Sequence, residues 1–77
     1  MAKDVKVVAE AALMANGSVL ERIVAAGPQG QYRAVGSTLA RIVAKKAECS
    51  EHAATWALVN AAAKLSLEQS EEVNEDF

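Results

Sequence analysis

Between residues 4 and 15 the apolar residues Val5, Val8, Ala12 and Ala15 recur at three- and four-residue spacing. That period predicts a first helix, with Lys6 and Glu10 paired four apart on its other side. The segment 15–18, Ala-Asn-Gly-Ser, ends it, because Asn16 and Gly17 suit a left-handed C-terminal cap. Ser18 and Glu21 then match a capping box, in which each side chain satisfies a free N–H at the helix start. A short second helix is expected over 19–26, with Leu20, Ile23 and Val24 inward. Gly27-Pro28 closes it, since proline lacks an N–H and disfavours helix at the residue before it. A third helix is predicted over 31–47, with Tyr32, Val35, Leu39, Ile42 and Val43 on one stripe. Ser50 is the expected cap of a fourth helix over 51–65.

Two stretches nearly repeat. Residues 17–25 read GSVLERIVA and residues 36–44 read GSTLARIVA, differing only at Val19/Thr38 and Glu21/Ala40. In one continuous helix an offset of 19 residues turns equivalent positions by ~100°, so the copies cannot share a face. Gly27-Pro28 rules out such a helix in any case. The first copy is expected to open a helix and the second to lie inside one, so the repeat reads as shared core chemistry rather than tandem duplication.

The fourth helix changes the picture. Ala54, Ala57, Leu58, Ala61 and Leu65 form one apolar face, while Trp56, Val59, Ala63 and, if the helix continues past 65, Leu67 form another. A helix apolar nearly all round is normally covered nearly all round. A chain of 77 residues buries only ~60% of its unfolded surface and has few elements to spare. The fold expected is therefore all-α: a compact bundle of four short helices over residues 1–67, completed by self-association through Trp56, Val59, Ala63 and Leu67. Residues 68–77 are expected to form an acidic, flexible tail.

Composition narrows the chemistry. The single Cys and single His cannot make a disulfide or a closed metal site in one chain. Glu48, Cys49 and His52 form the only cluster of reactive types. Glu48 and Glu51 favour the neutral thiol, so neither catalysis nor a bound metal is expected there, although two chains together could share a metal through Glu48, Cys49 and His52. No cofactor is expected. The turns at 16–18 and 27–31 lack the Gly-Lys-Ser/Thr signature of a phosphate loop, leaving weak anion binding near Ser18 or Arg33 as the most they offer. Neither a signal peptide nor a membrane span is read at the N-terminus, and a cytoplasmic setting is expected.

Charge is uneven. Residues 21–46 hold Glu21 against Arg22, Arg33, Arg41, Lys45 and Lys46, whereas from Glu48 onward Lys64 faces seven acids. In the predicted third helix Arg33, Ser37, Arg41 and Lys45 are spaced by four and form one ridge. It reads either as a solvated face or as a surface for nucleic acid or small anions, with the second and third helices as a helix-turn-helix. An acidic total and the lack of interleaved aromatics weigh against DNA. The leading expectation is a small non-enzymatic regulatory protein that associates with itself and binds another protein, away from membranes. A DNA-binding regulator, or an oligomer holding a phosphate or nucleotide, is the alternative.

Overall fold

The structure is a computed structural model that describes the backbone of residues 4–75 and the side chains of residues 4–68. Among the described residues the chain is all-helical, with five helices and no strand: α1 Val5–Ala15, α2 Gly17–Ala25, α3 Gln31–Ala34, α4 Ser37–Ala47 and α5 Glu51–Glu75. Helix α5 packs against each of the other four. No described helix is long and apolar enough to cross a membrane.

The predicted third helix is divided. Gly36 adopts φ 80° and ψ 145°, a conformation that a side chain strongly disfavours. The chain therefore turns after the single-turn helix α3, and a new ladder begins with the Ala40 N–H on the Gly36 carbonyl. Gly36-Ser37 thus opens a helix just as Gly17-Ser18 does. Both copies of the repeat stand at helix starts, contrary to the sequence expectation. The stripe divides with the helix. Val35 and Val43 are buried and Leu39 is half-buried, while Tyr32 and Ile42 reach the surface.

Cap chemistry follows the sequence at one junction and departs from it at another. Ser50 Oγ accepts the Ala53 N–H at 3.1 Å, as expected. The Ser18–Glu21 box does not form, because α2 already begins at Gly17 and carries no side-chain cap. Instead Asn16 Nδ2 donates to the Ala12 carbonyl at 2.7 Å and closes α1, with a backbone φ of −130° rather than a left-handed one. Gly27, at φ 75°, supplies the left-handed residue after α2. Glu10 pairs with Lys64 Nζ at 2.8 Å, tying α1 to α5, rather than with Lys6. That hydrogen bond and the Glu10 charge hold Lys64 above the ordinary lysine range. Its small contribution is present below the unfolded lysine pKa and is lost as pH rises through the folded one.

The core is built from one large side chain per region: Leu13 of α1, Ile23 of α2, Val35 at the joint, Val43 of α4 and Leu58 of α5. Alanines fill much of the remainder, including Ala9, Ala40, Ala54 and Ala62. Their small side chains let the helices approach closely. The break at Gly36 leaves α3 as a separate element, and both α3 and α4 pack against α5. Val59 is only 6% exposed and belongs to the chain's own core. It leaves the face assigned to self-association, where Trp56, Ala63 and Leu67 stay exposed. Thr55 is buried too, and its hydroxyl donates to the Glu51 carbonyl at 2.8 Å. The fourth predicted helix also runs on past Leu65 through Glu75. No glycine or proline follows Leu65, and Leu, Glu and Gln favour helix.

Candidate functional site

Two surface features emerge. The larger is a cleft of about 790 Å³ with α1 and α4 as its walls and α2 contributing at one side. Helix α1 is apolar on more than its core face. Ala9 and Leu13 point inward, which leaves Val7, Ala11 and Ala15, four apart, to line the cleft. Leu39, Ile42 and Val43 line it from α4. Val7 at 62% and Ile42 at 45% exposure are large apolar side chains with nothing over them.

Its polar groups are few. Asn16 is engaged with Ala12, and Arg22 Nε donates to the Ala34 carbonyl at 2.9 Å, which anchors the guanidinium at the cleft edge. Lys46 is the other cation, and among the described residues no carboxylate lines the cleft. An unbroken third helix would carry Ile42 on the core stripe, whereas the break between α3 and α4 leaves it at the surface. The signal available was Gly36-Ser37, a poor helix interior and a good helix start.

The smaller feature is a hollow of about 450 Å³ that includes Tyr32, Arg33, Ser37, Glu51 and His52. Tyr32 Oη and His52 Nδ1 are hydrogen-bonded at 2.9 Å, linking α3 to α5. Trp56, one turn beyond His52, lies beside them, with its ring centroid 5.2 Å from that of Tyr32 and 6.4 Å from that of His52. The only Trp, the only Tyr and the only His of the chain therefore meet at one place. Spacing could have paired His52 with Trp56; nothing in the sequence brings in Tyr32.

The basic ridge is shorter than expected. Arg33 sits on α3, before the break, while Ser37, Arg41 and Lys45 remain exposed on α4. Arg41 Nε contacts Glu51 Oε1 at 3.1 Å, so its charge is locally balanced. Arg33 and Ser37 still share the smaller hollow.

Cys49 is half-buried against the core, and among the described residues no three His, Cys, Asp or Glu side chains gather to hold a metal. Cys49→Ala is expected to keep the fold and to shift Tm by only a few degrees, checked by thermal denaturation. No family model, no curated protein and no solved structure matches the chain.

Proposed function

We propose that the chain is a small, non-enzymatic interaction protein that takes an acidic amphipathic helix into the cleft between α1 and α4. One observation carries the reading: both walls are largely apolar, and among the described residues Arg22 and Lys46 are the only charged groups lining the cleft. An amphipathic helix laid in such a groove buries its apolar face on the walls and sets carboxylates toward the two cations. A small molecule suits the cleft less well. Val7, Ala11, Thr38 and Ile42 are all exposed, so a compact ligand would stay largely wet, whereas ligand pockets usually bury ~70–90% of their occupant.

The test is a titration with a designed three-heptad helix carrying Leu at a and d and Glu elsewhere. Ile42→Asp should weaken binding at least tenfold, about 1.4 kcal/mol, because it places a charge where a leucine must dock. Ile42 is half-exposed, so circular dichroism should report an unchanged fold. Equal binding by wild type and Ile42→Asp would contradict the reading.

A second reading has one observation in its favour. Tyr32, whose ring centroid is 5.2 Å from that of Trp56, lines the smaller hollow with Arg33, and an aromatic platform next to a cation suits single-stranded nucleic acid, with stacking worth ~1–3 kcal/mol per base. Quenching of Trp56 fluorescence by an oligothymidylate, abolished in Arg33→Glu, would support it. The Arg41–Glu51 pair makes it the weaker of the two.

A further inference from the structure

We infer that the helix the cleft accepts is the acidic C-terminal end of α5 from a second copy of this chain, each copy giving its end to the other. The inference rests on the cleft reading above and names its occupant. It begins with length. Helix α5 has 25 residues, about 37 Å, whereas α1 with 11 is about 16 Å long. The neighbours of α5 cannot cover all of it. Among the described side chains Ala62 is the last that is fully covered, Leu65 and Ser66 are half-covered, and Leu67 is 65% exposed. From there the helix continues to Glu75.

Charge says what that end seeks. All eight Lys and Arg residues lie in residues 1–67, with five of the ten carboxylates; the other five carboxylates lie in residues 68–77. The body thus carries a net +3 and the last ten residues −5. The cleft meets that opposition locally, with Arg22 and Lys46 on its edges and, among the described residues, no acid in its lining. Residues 67–77 also hold Leu67, Val73 and Phe77, so apolar side chains accompany the acids along the segment.

A continuous helix explains why the match is between chains. A rod that runs on from Ser66 to Glu75 cannot reverse to reach the cleft of its own body, but it can reach a neighbour's. Two such contacts related by a two-fold axis close on themselves and stop at a dimer. Leu67 thereby keeps a place in self-association, while Val59 does not.

Charge exchange tests this in the full chain. One variant carries Glu71→Lys, Glu72→Lys and Glu75→Lys; the other carries Thr38→Glu and Lys46→Glu, at exposed cleft positions. Analytical ultracentrifugation should find wild type dimeric at tens of micromolar and each variant alone at least tenfold weaker. Mixing the two should restore a mixed dimer, since each tail then meets a cleft of opposite sign. A wild-type dimer that neither variant weakens would overturn the inference, as would variants whose mixture stays monomeric. A wild type that is monomeric at several hundred micromolar, yet binds the designed Leu/Glu helix, overturns the inference and leaves the cleft reading standing. If it neither dimerises nor binds that helix, both fall.

Discussion

Leu58→Ala is expected to cost about 2–5 kcal/mol and to bring the chain close to the edge of folding. Leu58 is fully buried on α5, the helix that touches all four others. The loss has two parts: the transfer energy of the removed carbons, and the cavity they leave. Neighbouring positions are rich in alanine, and an alanine has no length with which to fill the space, so collapse can relieve little. A chain of 77 residues has a total stability of only about 4–12 kcal/mol. Thermal denaturation should show Tm falling by more than about 10 °C, given ~4–8 °C per kcal/mol for a domain of this size. A fall under about 4 °C would mean that α5 is not the central packing element.

The two glycines of the repeat should respond with opposite sign. Gly36→Ala is expected to destabilise by about 1–3 kcal/mol, because φ 80° and ψ 145° are nearly closed to a residue with a Cβ. Space is not the obstacle, since a Cβ there meets only Arg22 Nη2 at 3.5 Å. The cost lies in the backbone itself. Gly17→Ala, at a helical position with nothing within 4 Å of the added carbon, is expected to be neutral or to stabilise by up to about 1 kcal/mol. Urea denaturation of the two variants side by side checks both. Gly36→Ala should also alter Trp56 fluorescence, because α3 holds Tyr32 against Trp56 only while the chain turns at Gly36. If both substitutions stabilise, the chain prefers the unbroken third helix, and the cleft is not built as described.

That junction also separates what the sequence makes legible from what it does not. The helical class follows from three- and four-residue spacing, and Gly27-Pro28 and Ser50 mark real ends, because proline geometry and a serine cap act locally. Gly36-Ser37 was harder to place. Glycine and serine are tolerated inside helices at modest cost, so the stripe from Tyr32 to Val43 outweighed them until packing decided the matter. The same limit applies at Ser18 and Glu21, which match a capping box in sequence, yet Asn16 closes α1 instead. The Tyr32–His52–Trp56 cluster joins residues 20 and 24 apart, and no local period carries such a contact. Val59 shows the converse error. Its spacing from Trp56 puts it on an outer face, but it is buried in the chain's own core cluster.

The central claim is that the α1–α4 cleft is the binding surface. Amide chemical-shift mapping on the full chain, titrated with the designed Leu/Glu helix, tests it most directly. Saturable shifts are expected to concentrate at Val7, Ala11, Ala15, Thr38, Ile42 and Lys46 and to weaken with raised salt. Shifts centred on Tyr32, His52 and Trp56, or no saturable shift at all, would contradict it.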